Sequence, residues 1–376
     1  MLPPTAAIPK DGIINLCFVF GINSLPPHHV SPVTRMKKLL PYFAVLLMFA
    51  YGCNKEIPVD GPELLDLFGD FQVLQPVSLN QTEADFAQGD RLYLQARFNK
   101  LTDWKLVCTG LGSGARKEIT GKTRFLDSTN CLWNGSTTIF PMFKVESVEM
   151  KLIIAEDSVL WRDTVQVSST RLIEGFVVAD FETGIQPGWS SFVQSGANMS
   201  FVVRQNNNAA QGNKYYDMGG LVNWDWLIGM IEFPASAYQA PRFPLTANPD
   251  KLYFNTLLYL PDSVENALLL FQFREDDNSN GTFDPNSEDM YSLQCAAYTV
   301  NGAHQRLQKG WNKISVRYNE LVSLVNGQPS TPSGNGRHDP DKLSKISALF
   351  LANPTSGYSQ LYMDYILFTE DAPLEP

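Results

Sequence analysis

From about 64 to 169, apolar residues recur at every second position, which is the period of β-strands with one buried face. The clearest runs lie at 92–98, 148–154 and 159–167, and turn residues separate them. Apolar positions at helical spacing are nearly absent. The pattern therefore predicts an all-β protein.

The length and composition of the predicted strands and loops divide the folded part into two predicted domains. From 64 to 170, several short alternating strands within about a hundred residues are typical of an immunoglobulin-like β-sandwich. A short linker follows at 171–175. From 175 to 370 the strands become longer and more aromatic, with long loops rich in Asn, Gly and Pro. Roughly eight or nine strands over some 200 residues predict a jelly-roll β-sandwich.

One segment near the beginning departs from this pattern. Residues 36–53 combine two lysines, an apolar run and a Gly-Cys junction, which together describe a bacterial lipoprotein export signal. The run is shorter than the roughly 20 residues that cross a bilayer. We predict a signal peptide over 36–53 with a lipid on Cys53, an upstream segment 1–35 outside the native protein, and a polar tether over 54–63. The alternative is a buried apolar helix that happens to end in Cys53.

Composition narrows the classes of function. The formal net charge is −10, and residues 1–52 hold more basic than acidic residues, so the remainder is more acidic still. That balance argues against nucleic acid or an anionic membrane surface as a partner. Two histidines follow Cys53, too few for a three-histidine zinc site. No nucleophile-elbow or metalloprotease motif occurs, and we predict no enzyme activity. Cys108 and Cys131 are either bridged or free buried thiols.

The sharpest local motif is an acidic loop with the ligand spacing of a calcium site. If Asp276 is the first ligand, side-chain oxygens fall at the alternate positions of an EF-hand-like loop, and Gly281 permits its turn. Ser287 stands where the bidentate glutamate belongs, and Glu288 or Asp289 could substitute for it if the loop exits differently. We predict a bound Ca²⁺, with an empty acidic hairpin as the alternative. The predicted ligands are Asp276, Asn278, Asn280, Asp284 and Glu288.

Two tryptophans two residues apart are the outstanding candidate for ligand binding. If the segment is extended, Trp224 and Trp226 face the same side and form one flat surface. Sugars present an apolar CH face and a ring of hydroxyls, which indoles and polar side chains recognise together. The alternative is that both indoles belong to the core, as we expect for Trp311. The predicted glycan contacts are Trp224, Trp226, Asn223, Asp225, Tyr216, Tyr238 and Arg204.

Short motifs of the second domain resemble the galactose-binding-like jelly roll of many carbohydrate-binding modules. These motifs are DFETG at 180–184, GWNKI at 310–314 and LYMDYI at 361–366. In that family an acidic residue after the first Phe and an Asp in the last strand often share a structural calcium. The resemblance implies a second possible Ca²⁺ site at Glu182 and Asp364. The alternative is that these acids bond backbone amides at strand ends.

The order of lipid anchor, Ig-like spacer and terminal jelly roll resembles the surface glycan-binding lipoproteins of Bacteroidetes-type polysaccharide-utilisation systems. The resemblance implies an outer-membrane, cell-surface lipoprotein that binds a glycan without cleaving it. The implied partners are a polysaccharide or oligosaccharide, the outer-membrane lipid anchor and a transporter complex, with no nucleic acid.

Two other functions remain open at this point. One is an adhesin or structural component that binds proteins at the cell surface, and the other is a glycan-active hydrolase. Exposed indoles at the Trp pair would favour glycan binding, whereas buried indoles and a large apolar patch elsewhere would favour the adhesin. A pocket with two converging carboxylates, one of them with a shifted pKa, would favour the hydrolase.

Overall fold

The computed structural model describes residues 69–154, 158–302 and 304–376. The predicted export signal 36–53, with its Cys53, and the tether 54–63 lie outside these residues. In the described part, regular structure is β-strand apart from four short 3₁₀ turns, so the all-β prediction is confirmed. No helix of this part is long and apolar enough to cross a membrane. The strands form three six-stranded sheets and one two-stranded ribbon.

Sheet 1 is built from residues 73–169. Its strands are β1 (Val73–Leu79), β2 (Glu83–Asp85), β3 (Leu94–Gly110), β4 (Arg116–Leu126), β5 (Ser147–Ile154) and β6 (Ser158–Ser169), with a 3₁₀ turn at Phe86–Gln88. The order is β1-β3-β5-β6-β2, and β4 pairs with β3. The long β3 pairs with β1 at its beginning and with β5 at its end. Alternate side chains fill one core, in which Cys108 and Cys131 are free buried thiols.

Two further six-stranded sheets contain most strands from Phe176 onward. The strands are β7 (Phe176–Ala179), β8 (Ser190–Val193), β9 (Ala197–Gln205), β10 (Lys214–Leu221), β11 (Leu227–Pro234), β12 (Leu252–Leu260), β13 (Leu268–Glu275), β14 (Met290–Ala296), β15 (His304–Arg306), β16 (Gly310–Arg317), β17 (Leu324–Val325), β18 (Gln328–Pro329), β19 (Leu343–Leu351) and β20 (Ser359–Glu370). The other 3₁₀ turns are Ala235–Tyr238, Tyr318–Glu320 and Pro340–Lys342.

Sheets 2 and 3 face each other across a large apolar core. Sheet 2 has the order β16-β12-β20-β10-β9 with β7 on β20, sheet 3 has the order β15-β14-β13-β19-β11-β8, and β17 pairs with β18. Because side chains alternate along a strand, Tyr216 and Met218 of β10 point into this core. Tyr215 and Asp217 consequently lie on the outward face of sheet 2.

Half of that outward face is covered by other parts of the chain. Met142, which follows β4, donates its backbone N–H to the carbonyl of Ala210 at 2.7 Å. This contact joins the two regions that the predicted domain boundaries separate. Those boundaries stay a prediction. The covered half is the apolar cluster of Ala210, Leu257, Tyr365, Leu367 and Leu374, with Phe140, Met142, Ile173 and Trp311 packed against it.

Candidate functional site

A row of side chains crosses the open half of the outward face of sheet 2 and ends at Trp311, which also packs against the covered half. Residues that are direct partners on neighbouring strands lie on the same face of a sheet. Four successive partnerships connect β9, β10, β20, β12 and β16 in this way, and we call their members the outer row. From β9 to β16 the outer row consists of Val202, Asp217, Tyr362, Tyr259 and Trp311.

Three rings of the outer row form a continuous aromatic surface. The rings of Tyr259 and Tyr362 are stacked, with centroids 5.2 Å apart and an interplanar angle of 9°. The Trp311 ring lies 5.4 Å from Tyr259. The buried ring of Tyr215 supports Tyr362 from the adjacent strand, at 4.7 Å. Tyr259, Tyr362 and Trp311 are half-buried, so each ring also reaches solvent.

A charged network lies beside these rings. The side chain of Asp217 is fully buried beneath Arg204, whose side chain is 48% exposed. The Asp217 carboxylate accepts hydrogen bonds from Arg204 Nε, from Ser200 Oγ at 2.7 Å and from Gln360 Nε2 at 2.9 Å. The hydrogen bond with Asp217 raises the pKa of Arg204. The network therefore holds a cation and an amide at fixed positions on the surface.

The hydroxyls of Tyr362 and Tyr358 on this face stay protonated at neutral pH. Burial, and then the negative charge of Asp217, raise the pKa of Tyr362 to about 12 and also raise the pKa of Tyr358. Tyr358 is 39% exposed and lies over Gly219, where a Cβ atom would be 2.7 Å from its hydroxyl. Protonated phenols can both donate and accept hydrogen bonds to a ligand.

The predicted tryptophan pair is exposed, which excludes the core alternative for it. Trp224 is 59% exposed and Trp226 is 48% exposed. They lie in the loop between β10 and β11 rather than in a strand. Between them, the Asp225 carboxylate accepts a hydrogen bond from Gln194 Nε2 at 3.0 Å. The carbonyl of Trp226 accepts a hydrogen bond from the backbone N–H of Ala352 at 2.9 Å. Asp225 therefore orients the loop.

Several predicted contacts lie elsewhere. Tyr216 is 1% exposed in the core, and the Tyr238 hydroxyl donates to the carbonyl of Val178, so we remove both from the predicted platform. Asn223 is exposed beside the tryptophans, whereas Arg204 belongs to the network around Asp217. Trp311, expected in the sandwich core, lies instead in the outer row.

Glu182 and Asp364, the second predicted Ca²⁺ pair, lie close to one turn. Asp364 Oδ2 accepts from Ala210 N and Gln211 N, each at 3.0 Å, and Glu182 Oε1 accepts from Lys214 N at 2.7 Å. Asp364 Oδ1 and Gln211 Oε1 are buried and have no hydrogen-bond partner among residues that the structure describes. Burial, and more weakly the charge of Glu182, raise the pKa of Asp364. Two orphaned oxygens beside two acids fit a hard cation.

The predicted calcium loop folds around its own amides. Asp276 accepts from Asn280 N and Gly281 N at 3.0 Å each, and Glu288 accepts from Asn278 N at 3.3 Å and from Asp284 N at 2.7 Å. The Asp284 carboxylate accepts from Asn286 and Ser287. Calcium binding by this loop stays a prediction.

Sequence reasoning missed the outer row, although a signal for it was present. In β10 the core residues Tyr216 and Met218 have one parity and Asp217 has the other. At the start of β20, Tyr362 likewise alternates with the core residues Leu361 and Met363. Alternation thus separates the two faces of each strand. It contains no information on which distant strands become neighbours.

No family model and no curated protein sequence matches this chain. Solved structures with similarity to it include carbohydrate-binding modules of the β-sandwich superfamily, at 13% identity over 81% of this chain and 99% of that chain, with a TM-score of 0.33. Another is the family 11 carbohydrate-binding module of Clostridium thermocellum in complex with a β-1,3-1,4-mixed-linked tetrasaccharide, at 17% identity, 52% and 96% coverage and a TM-score of 0.33.

A third is SGBP-B from a complex xyloglucan utilization locus in Bacteroides uniformis, at 9% identity, 79% and 73% coverage and a TM-score of 0.32. These three neighbours are thus carbohydrate-binding modules and a protein from a xyloglucan utilization locus.

Proposed function

We propose that this protein is a non-catalytic, lipid-anchored protein of the outer-membrane surface that binds a polysaccharide or oligosaccharide on the open half of sheet 2. The observation that carries the glycan site is the partly exposed, parallel pair of Tyr259 and Tyr362 beside the ion pair of Arg204 and Asp217. Flat phenol rings stack on the CH face of a sugar, and the guanidinium and the Gln360 amide bind its hydroxyls.

The rigidity of this face supports the same function. The rings and the charged network lie on paired strands, and the buried Asp217 carboxylate orients Arg204, Ser200 and Gln360 together. A surface that is already ordered loses little conformational entropy when a ligand binds. The exposed Trp224 and Trp226 follow β10 and would contact a longer glycan beyond the outer row.

Calorimetric titration of the purified chain tests the glycan site. The probes are mixed-linkage glucan, xyloglucan, starch and mannan, and we expect at least one of them to bind. Tyr362→Ala should weaken that binding, whereas Tyr253→Ala serves as a matched control, because Tyr253 lies at the other end of β12 and bonds Arg317 at 2.8 Å. Equal affinity of the wild type and Tyr362→Ala would exclude the outer row as the site.

We further propose that Glu182, Asp364 and Gln211 hold a structural Ca²⁺. The support is the pair of buried acceptors, Asp364 Oδ1 and Gln211 Oε1, which find no donor within the described ranges. A ligand bound only by the folded state stabilises it, by about 2.7 kcal/mol at a hundredfold excess over Kd. EDTA should therefore lower the melting temperature, and Asp364→Asn should reduce that response. A melt that is indifferent to chelator would contradict this site.

The anchor and the transporter partner are proposals that rest on the sequence. In a host with lipoprotein machinery, Cys53→Ala should move the protein from the membrane fraction to the soluble fraction. Retention of the variant in the membrane fraction would contradict lipidation at Cys53. Cross-linking of the anchored protein on intact cells would then test whether a transporter component lies beside it.

A hydrolase is less well supported by the arrangement of acids. The group of three converging carboxylates found among the described residues is Glu275, Asp277 and Asp289. Glu275 and Asp289 are fully buried, so a glycan has no access to them. The adhesin alternative is disfavoured by the exposure of Trp224 and Trp226, which was the observation expected to separate it from glycan binding.

A further inference from the structure

Two carboxylates occupy inward positions of sheet 3, where the neighbouring residues are apolar. The last two inward-facing residues of β13 are Phe273 and Glu275. On the paired strand β14, Tyr291 faces inward, and so does Asp289, two positions before it. The backbone N–H of Glu275 donates to the carbonyl of Asp289 at 3.0 Å, so the two acids are neighbours across the strand pair. Both side chains are fully buried. Like charges in this relation destabilise a sheet unless something compensates them.

Asp277 brings a third carboxylate to the same place. One oxygen of each of Glu275, Asp277 and Asp289 lies within 4.8 Å of the other two. Lys342 Nζ is 3.5 Å from Asp277 Oδ1, but it is closer to Asp339 Oδ2, at 2.9 Å. This lysine is therefore shared with a fourth acid and cannot balance three carboxylates.

Two polar atoms at this cluster are left without a hydrogen-bond partner by the described residues. Glu275 Oε2 and the Tyr291 hydroxyl are buried and make no hydrogen bond within the part of the chain that is described. The other Glu275 oxygen accepts from the Tyr318 hydroxyl at 2.9 Å and from Asp339 N at 3.0 Å. Tyr291 is 2% exposed. Burial, followed by the charges of Asp289, Glu275 and Asp277, raises its pKa.

We propose that Glu275, Asp277, Asp289 and the Tyr291 hydroxyl bind a hard divalent cation, with Ca²⁺ as its representative. A divalent cation would offset two of the three carboxylate charges and would provide a partner for both orphaned oxygens. The donor set consists of oxygens alone, which suits Ca²⁺ better than zinc. His338 is not a candidate ligand, because its ring stacks on Tyr291 at 3.9 Å and its Nε2 contacts the Leu321 carbonyl at 2.9 Å.

This site is distinct from the predicted calcium loop and from the Glu182–Asp364 pair, and its role would be to fasten two loops together. Asp289 accepts from Gly334 N at 2.6 Å and from Gly336 N at 2.7 Å, and Asp277 accepts from Asn335 Nδ2 at 2.9 Å. A Cβ atom at position 334 would be 2.3 Å from Asp277 Oδ2, so this approach requires glycine. The cation would thus tie the β13–β14 loop to 334–336.

The competing occupant is a proton on Glu275. Burial raises the pKa of Glu275 to about 8, which favours a proton on this carboxyl when no cation is bound. A proton would remove one charge but would leave the other two carboxylates unchanged. Binding of Ca²⁺ and its stoichiometry distinguish the two occupants.

The first experiment counts bound Ca²⁺ by calorimetry on the purified full chain, stripped with EDTA and without any glycan. Asp277→Asn should bind one Ca²⁺ fewer than the wild type. Asp341→Asn is the matched control, because Asp341 is exposed in the neighbouring 3₁₀ turn, and it should bind the wild-type number. The same number for Asp277→Asn and the wild type would overturn the proposal.

The second experiment remains informative if Asp277→Asn fails to fold. Tyr291→Phe keeps the ring and removes only the hydroxyl, so in EDTA its melting temperature should equal or exceed that of the wild type. The rise in melting temperature on adding Ca²⁺ should be smaller in Tyr291→Phe than in the wild type. A lower melting temperature in EDTA, or an equal response to Ca²⁺, would overturn the proposal. Neither result depends on glycan binding.

Discussion

The two halves of the outward face of sheet 2 differ in what covers them. In the covered half, Leu257 of β12 and Leu367 of β20 are fully buried beneath the C-terminal segment and residues that follow β4. In the open half, Tyr259 and Tyr362 of the same two strands remain partly exposed.

The difference follows from the chemistry of the side chains. An aliphatic side chain stabilises the fold only when its surface is removed from water, by roughly 25 cal/mol for each Å² of apolar surface buried. Tyrosine and arginine can keep one end in water and the other against protein. Leu257 and Tyr259 are two positions apart on β12 and lie on the same face of the sheet. Leu257 belongs to an internal apolar contact, whereas Tyr259 belongs to the candidate ligand surface.

The largest expected effect belongs to the covered half. Leu367→Ala should lower the free energy of unfolding by about 2–5 kcal/mol, because it leaves a cavity in a buried apolar cluster. Chemical denaturation measures this loss. Glycan affinity of the folded variant, measured well below its melting temperature, should equal that of the wild type. A variant that keeps its stability but loses affinity would contradict the division into two halves.

Truncation in the open half should have the reverse signature. Tyr362→Ala should weaken glycan binding by about 1–3 kcal/mol, roughly 5- to 150-fold, because it removes half of the stacked pair. Its loss of stability should be smaller than that of Leu367→Ala, since Tyr362 is only half-buried. Calorimetry and thermal melts on the same samples provide both numbers. A stability loss as large as that of Leu367→Ala, with affinity unchanged, would assign Tyr362 to packing.

The tryptophan loop should contribute less than the outer row. Trp226→Ala should reduce affinity by about 1 kcal/mol, or roughly fivefold, and only for glycans long enough to pass beyond Tyr358. Its stability should change by no more than about 0.5 kcal/mol, because the side chain is exposed. Phe192→Ala is the control, as Phe192 is 45% exposed on sheet 3. Equal affinity of Trp226→Ala and the wild type for long glycans would limit the site to sheet 2.

The smallest effect concerns the support of Tyr358. Gly219→Ala would bring a Cβ atom to 2.7 Å from the Tyr358 hydroxyl, and the end of that side chain would have to move. We expect affinity to fall by a few tenths of a kcal/mol, about twofold, and no further in the Gly219→Ala/Tyr358→Ala double variant than in Tyr358→Ala alone. Additive losses in titrations of the three variants would show that Gly219 acts independently of Tyr358.

The fold class could be predicted because alternation is a local property. Each strand reports its own two faces, so the period-two pattern was enough to predict an all-β protein. The exposure of Trp224 and Trp226, which the sequence left open, was decided by the loop between β10 and β11, whose Asp225 turns inward. The assignment of Tyr216 to a glycan surface was wrong because its parity matches that of the core residue Met218.

The candidate site could not be assembled from the sequence. Gln360 and Asp217, which share a hydrogen bond at 2.9 Å, are 143 positions apart, and Glu275 and Asp339 are 64 positions apart. The EF-hand-like spacing predicted Asp276 as a ligand because that motif compares only positions within one loop. The carboxylates that converge are those of Glu275, Asp277 and Asp289, which have the other parity and meet across β13 and β14.

The sequence by itself determined the strands and the two faces of each one, because these depend on backbone geometry and the period of the side chains. Only the tertiary structure decided which strands became neighbours, since pairing depends on contacts between residues far apart in the chain. It also decided which half of the outward face stayed open, because covering Leu257 and Leu367 required the C-terminal segment and residues 140–142 to pack there.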